Sequence, residues 1–175
     1  MPGEIEERRD QYGRLLVSEP VDLTKHIRLK RLHPAAEYPL LSSPGAAGFD
    51  IAACLMSETG RPSKRLVSSQ QTVSIPTGWA IRPPDGFCTL VLSRSGMAAS
   101  NPPLFVANSP GLIDPNYTGE IQILLFNGGF NAAYVEHGQR IAQLIFIRRE
   151  EFPFTEVEDL PPTSRGTHGF GSTGR

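Results

Sequence analysis

Gly111-Leu112-Ile113-Asp114-Pro115-Asn116-Tyr117-Thr118-Gly119-Glu120 is the stretch on which the reading of this chain turns. An apolar pair runs into it, and the apolar run Ile121–Phe126 leaves it. Short apolar runs flanking a Pro/Asn/Gly turn predict two strands joined by a tight hairpin. The hairpin sets one carboxylate, Asp114, beside one aromatic ring, Tyr117. Ile121–Phe126 and Ile141–Ile147 are each long enough for a strand buried on both faces.

The same grammar extends outward. Ile27 and Leu29 alternate with Arg28 and Lys30, the period of a half-buried strand. Val73 and Ile75 lead into the turn Pro76-Thr77-Gly78, followed by Trp79 and Ile81. Thr89–Leu92 is a short apolar strand ending at Ser93-Arg94-Ser95-Gly96, and Phe105-Val106 leads to Asn108. Gly (17) and Pro (16) together make up about a fifth of the chain, against roughly 12% in an average domain. Many short strands punctuated by tight turns produce that excess. No segment after residue 25 reads as a long helix. The expected fold is therefore all-β, a sandwich or barrel with little helix. Residues 1–25 form an N-terminal extension, flexible or weakly helical, in which Glu4–Arg8 and Asp10–Arg14 are i,i+4 pairs. Residues 26–160 form the β domain and 161–175 a mobile Gly/Ser/Thr-rich arm.

At 175 residues the chain can bury a substantial core. A net charge of −1 supplies no broad basic field, so stable nucleic-acid or anionic-membrane binding is not expected. No apolar run approaches the ~20 residues of a membrane span. Acidic residues near the start argue against a transit peptide, and no apolar core marks a signal peptide. Cys54 and Cys88 are the only cysteines. They read as small core hydrophobes in a reducing compartment, cytoplasmic or nuclear, and lie too far apart for a paired-cysteine zinc site.

Five segments bear chemistry. In Ala47-Gly48-Phe49-Asp50-Ile51 a carboxylate enters an apolar strand, either closing an Asx turn or serving a site. In Ser93-Arg94-Ser95-Gly96 a guanidinium fork, a hydroxyl and a glycine suit a phosphate. The hairpin is the third. Asp114 fits a general base and Tyr117 a flat surface under a sugar, while Asn108 offers an amide that both donates and accepts. The fourth is Gly138-Gln139-Arg140-Ile141-Ala142-Gln143. An unpartnered buried amide costs about 1–3 kcal/mol, so Gln143 requires a main-chain or ligand partner. The fifth, Arg165-Gly166-Thr167-His168-Gly169-Phe170-Gly171-Ser172-Thr173-Gly174, fits a G-x-G-x-x-G pattern. No helix or βαβ unit follows it, so a dinucleotide site is rejected. A mobile arm is the better reading, with Phe170 over a base and Arg165 on a terminal phosphate.

These five segments, in this order and spacing, resemble the five motifs of the trimeric dUTP pyrophosphatases (dUTPases), from about His26 to Arg175. The resemblance implies a jelly-roll-like β-barrel whose C-terminal arm is exchanged between subunits of a homotrimer. It implies hydrolysis of dUTP to dUMP and pyrophosphate with Mg²⁺, which keeps uracil out of DNA and supplies dUMP for dTMP synthesis. By motif, Asp114 resembles the base that activates the water attacking the α-phosphorus. Tyr117 resembles the ring under the deoxyribose, where a ribose 2′-OH would clash. The main chain at Leu112, Ile113 and Gln122, with Asn108, would pair with uracil. Arg94, Ser95 and Gly96 look like a phosphate turn supplied by an adjacent subunit, and Arg165, Phe170, Gly171 and Ser172 like the closing arm. Asp50 and Gln143 match positions that order water around Mg²⁺, which is itself held mainly by substrate phosphates. The loop holding Pro102-Pro103 is one residue longer than is usual in that family, and His168 reads as a solvent-facing arm residue. The N-terminal extension lies outside the resemblance; a partner for it is unassigned.

Two other readings compete. A dCTP deaminase on the same fold carries a glutamate in the strand after the hairpin, where this chain has Leu124. A non-catalytic trimeric nucleotide-binding or regulatory protein would be expected to have lost Asp114, Arg94, Arg165 or Phe170, and all four are present.

Overall fold

The computed structural model describes residues 22–167. Twelve strands lie within them: β1 (Arg28–Arg31), β2 (Leu40–Leu41), β3 (Phe49–Ala52), β4 (Lys64–Val67), β5 (Thr72–Pro76), β6 (Trp79–Arg82), β7 (Phe87–Leu92), β8 (Leu104–Val106), β9 (Gly111–Ile113), β10 (Gln122–Asn127), β11 (Ala133–Glu136) and β12 (Arg140–Arg148). Among the described residues, helix is confined to a 3₁₀ turn at Leu23–Lys25 and the four-residue α1 (Ser95–Ala98). The expected helical pattern over residues 4–16 lies outside the described residues. Every strand pair is antiparallel. The largest sheet has the order β2-β3-β12-β7-β9, and a second the order β5-β10-β8. Two-stranded sheets β1-β6 and β4-β11 complete the jelly-roll-like barrel.

One core fills the space between the sheets. Ile51, Ile75, Ile123, Leu125, Ile141 and Leu144 are all essentially inaccessible. Period-two patterning puts them there: in β5, Val73 and Ile75 point inward while Thr72 and Ser74 face out. Cys54 and Cys88 are buried free thiols, as their sequence context predicts.

One expectation changes. β10 is not buried on both faces: Ile123, Leu125 and Asn127 are buried, but Gln122 and Leu124 are exposed. Its outer face lines a cleft rather than a second core layer. β12 is buried at Ile141, Ala142 and Leu144, and its last residues open to solvent. The last strand among the described residues ends at Arg148. Just beyond it, the Arg149 N–H donates to the Gly86 carbonyl (2.7 Å). Glu150 to Thr167 are exposed throughout and form no strand. Phe152, Phe154 and Leu160 lie there with at least three quarters of their surface open.

The turn after β5 shows why Pro76-Thr77-Gly78 has its composition. Gly78 adopts φ +73°, and a Cβ on it would come within 2.6 Å of the Ala36 Cβ and 3.1 Å of the Cys54 Sγ. Gly60 has the same φ of +73° but open space around it. Gly60→Ala should therefore cost only backbone strain, about 1 kcal/mol. Gly78→Ala should add a steric term of about 1–3 kcal/mol. Urea unfolding of the two variants checks the difference.

Candidate active site

The segment Gly111–Glu120 does not close a hairpin. β9 pairs with β7 and ends the five-stranded sheet, whereas β10 pairs with β5 and β8 in another. Each strand finds a partner elsewhere, so the two splay apart. Between them lies a cleft of about 400 Å³. Among the predicted site residues, Asn108, Leu112, Ile113, Asp114, Tyr117 and Gln122 all line it. Ser74, Glu120 and Leu124 line it too. β9 is an edge strand. β8 covers β10 only from Leu124 onward, where the Ala107 N–H donates to the Leu124 carbonyl (2.8 Å). Main-chain groups at the near ends of β9 and β10 therefore face the cleft, where a planar ring with its own donors and acceptors can pair with them.

Asp114 stands exposed at the mouth. Its carbonyl accepts from the Tyr117 N–H (3.1 Å), which fixes the turn joining carboxylate to ring. The Tyr117 hydroxyl donates to the Glu120 carbonyl (3.0 Å). Its ring lies against Gly119, where a Cβ would sit 2.6 Å from the ring Cζ. Gly119 is thus a glycine because the tyrosine occupies the space. Asn108 packs against Gly111, whose Cβ position is 3.2 Å from the Asn108 Nδ2.

The remaining motifs converge elsewhere, by sheet register. Asp50 on β3 pairs with Gln143 on β12, and Gln143 pairs with Leu92 on β7, one residue before the Ser93-Arg94-Ser95-Gly96 turn. The Gln143 Nε2 donates to the Ser93 carbonyl (3.0 Å), so this amide's partner is main chain. Ser93 Oγ accepts from the Val106 N–H (2.9 Å), tying the same turn to β8. Asp50, 6% exposed, meets two guanidiniums: Arg94 Nε at 2.8 Å and Arg140 Nη1 at 3.0 Å. Arg94 also donates to the Arg140 carbonyl (2.9 Å). Both Asp50 oxygens are thereby engaged, and its task here is to hold the arginines. Arg94, Gly96 and Arg140 line a second pocket of about 470 Å³. Ser95 opens α1 beside Gly96. The two pockets share no lining residue. Arg165 lies on the exposed C-terminal segment, and His168, Phe170, Gly171 and Ser172 lie outside the described residues. Burial, then the charge of Glu120, pushes the Cys54 thiol up, which suits a core thiol rather than a nucleophile.

Residues 35–174 match the dUTPase family pattern. The chain is 41% identical over 150 residues to the deoxyuridine 5'-triphosphate nucleotidohydrolase of Leptospira interrogans, covering 85% of this chain and 98% of that one. It is 38% identical over 153 residues to the enzyme of the same name from Caulobacter vibrioides, covering 85% and 94%. This chain belongs to the dUTPase family. Its fold matches the dUTPase of Staphylococcus bacteriophage 80alpha with dUPNHPP at a TM-score of 0.74 and 25% identity, covering 86% of this chain and 99% of that one. It also matches a point mutant of the dUTPase from phage phi11 of S. aureus, described with a structural Mg(II) ion, at a TM-score of 0.67 and 20% identity, covering 78% and 99%.

Sequence reading of this family member missed Arg140, Glu120 and Ser74. Arg140 was the easiest to find, because a charged residue opens an otherwise apolar strand three places before Gln143. Glu120 and Ser74 gave no local signal, since their partners are distant in sequence. Gly78 N–H donates to Glu120 Oε1 (2.7 Å), and Ser74 Oγ to Gln122 Oε1 (2.5 Å). The Asp50 cluster makes a stability prediction. Asp50→Ala leaves two guanidiniums adjacent without their counter-charge and should destabilise the fold by about 3 kcal/mol. Asp50→Asn, which keeps one acceptor oxygen, should cost less. Thermal and urea melts of both variants check the order.

Proposed function

We propose that this chain hydrolyses dUTP to dUMP and pyrophosphate. The observation that carries the reading is the cleft between the splayed β9 and β10, with unpaired strand edges inside and Asp114 and Tyr117 at its mouth. Uracil enters edge-on and pairs with main chain near Leu112, Ile113 and Gln122, with Asn108 on the same edge. The narrow gap excludes a 5-methyl group. The deoxyribose lies on Tyr117, whose ring collides with a ribose 2′-OH. Asp114 takes the proton from the water that attacks the α-phosphorus. The carboxylate needs no second acid, because pyrophosphate leaves as a stabilised anion. Likeness to the Leptospira and Caulobacter enzymes at about 40% identity supports this assignment.

The phosphate partners belong to a second copy. Arg94 and Gly96, which flank Ser95, line a pocket that shares no residue with the base cleft, which supports a homotrimer whose sites lie between chains. The exposed Phe152, Phe154 and Leu160 support the same reading, since an extended apolar segment left open among the described residues suits exchange onto a neighbour. Arg165, Phe170, Gly171 and Ser172 would then close the site and exclude bulk water.

Mg²⁺ fits this site as a passenger of the nucleotide. Among the described residues no group of three or more His, Cys, Asp or Glu side chains is placed to hold an ion. Both Asp50 oxygens are committed to arginines. A hard cation that keeps much of its water and binds mainly through substrate phosphates suits such surroundings. When bound, it supplies neutralisation of charge developing on the phosphates. The two buried, unbridged cysteines support a reducing compartment, cytoplasmic or nuclear.

Leu124 opposes the deaminase alternative. It is 39% exposed and lines the cleft, where it can shuttle no proton. The test is a product assay with dUTP, dCTP, dTTP and UTP in Mg²⁺. Wild type should release pyrophosphate and dUMP from dUTP alone, and Asp114→Asn should lose at least about 10²-fold in kcat. Deoxyuridine products from dCTP would establish the deaminase instead. Tight dUTP binding without turnover would establish a regulatory protein.

A further inference from the structure

Tyr117 is almost half exposed, at 47%, so surrounding packing does not hold its ring on all sides. Two contacts define its height. One is Gly119, which it covers; the other is the hydroxyl bond to the Glu120 carbonyl. Residue 120 is in turn fixed by its own side chain. The Glu120 Oε1 accepts from the Gly78 N–H at 2.7 Å, across 42 positions of sequence. Gly78 cannot move to follow. Its Cβ position is walled by Ala36 and Cys54, and its carbonyl accepts from the Leu32 N–H (2.8 Å). Immediately beyond, Thr77 Oγ1 donates to the Ile121 carbonyl (2.7 Å), and the Ile121 N–H donates to the Trp79 carbonyl (2.8 Å).

We propose that Glu120 is a positioning residue that sets the height of the Tyr117 platform and so determines how strongly a ribose is rejected. Its side chain grips the rigid 76–79 turn, and its carbonyl holds the tyrosine hydroxyl. A carboxylate accepting from a backbone N–H is a short, charge-assisted bond, so the grip is stiff. Losing it leaves the Glu120–Ile121 peptide tied to the turn only from the Ile121 side, through the Ile121 N–H on the Trp79 carbonyl, so the Glu120 carbonyl can rock and shift the tyrosine while the cleft itself stays in place. An error of about 1 Å in a positioning element can cost as much as 10²-fold. A ring that relaxes outward supports dUTP less well and leaves room for a 2′-OH. This inference rests on the dUTP hydrolase reading above and names what governs sugar selectivity at that site.

The test is steady-state kinetics on the full chain with dUTP and with UTP, for wild type and Glu120→Gln, Glu120→Asp and Glu120→Ala. Gln keeps an oxygen acceptor at the same reach and should stay within about twofold of wild type. Asp keeps the charge but is one methylene short. It should behave like Ala, with KM for dUTP raised about tenfold, kcat changed less, and the preference for dUTP over UTP reduced about tenfold. In a Tyr117→Phe background, which lacks the linking hydroxyl, Glu120→Ala should reduce that preference no further. Wild-type preference in both Glu120→Asp and Glu120→Ala overturns the proposal, and so does a Gln variant as impaired as Ala. Thermal melts identify any variant that fails to fold, and Asp, the smaller change, then stands for Ala. A wild type that leaves dUTP intact would sink the hydrolase reading itself. An active wild type with unaltered preference in the variants sinks only the role of Glu120.

Discussion

The constraint on which the site depends is that β9 and β10, neighbours in sequence, hydrogen-bond to different sheets. β9 joins β7 at the edge of the five-stranded sheet, and β10 joins β5 and β8. A connection as short as this one would ordinarily let such strands zip together and satisfy one another's main chain. Here each is claimed by another partner, and the facing edges are left with donors and acceptors to spare. Buried or half-buried main-chain groups need partners, so the gap is specific for something flat and polar-edged. In the proposed function, base recognition rests on backbone geometry more than on side-chain identity. That is consistent with Leu112 and Ile113, two apolar residues, standing where a polar base would bind.

A second device sets the arginines. Asp50, Gln143 and the end of β7 fall into line because β3, β12 and β7 are adjacent and in register. One buried carboxylate holds two guanidiniums, and one amide holds the carbonyl of the turn that bears Arg94. Such a cluster contributes little net stability, since desolvation offsets most of the Coulombic gain. Its value is geometric: Arg94 is restrained in advance, and under the proposed function that lowers the cost of ordering it on a phosphate. The carboxylate that the motif pattern associates with metal-bound water also anchors Arg94 and Arg140.

Much of this was legible in the sequence because motif residues are local. Asp114 and Tyr117 lie on one turn, and period-two runs marked most of the strands. What escaped was non-local. A strand–turn–strand pattern looks the same whether the strands pair or splay, so the hairpin expectation failed although both strands exist. Asp50 meets partners 44 and 90 positions away, and Glu120 meets Gly78 at 42, separations that leave no periodic trace. Leu124 reads as a core residue by composition but faces the cleft, because one face of β10 lines the site. Phe152, Phe154 and Leu160, which carry no periodic signal, stand largely exposed among the described residues.

The central claim is that a complete site takes its base cleft from one copy and its arginine turn from another. The most direct measurement mixes two inactive chains, Asp114→Asn and Arg94→Ala, by joint refolding and assays dUTP hydrolysis. Shared sites predict that activity reappears at about one quarter of the wild-type value in an equal, randomly assembled mixture, because that fraction of sites receives an intact Asp114 and an intact Arg94. Mixed assemblies that form, as shown by distinct tags, yet stay as inactive as either parent would contradict it. Asp114 and Arg94 would then have to act from the same chain.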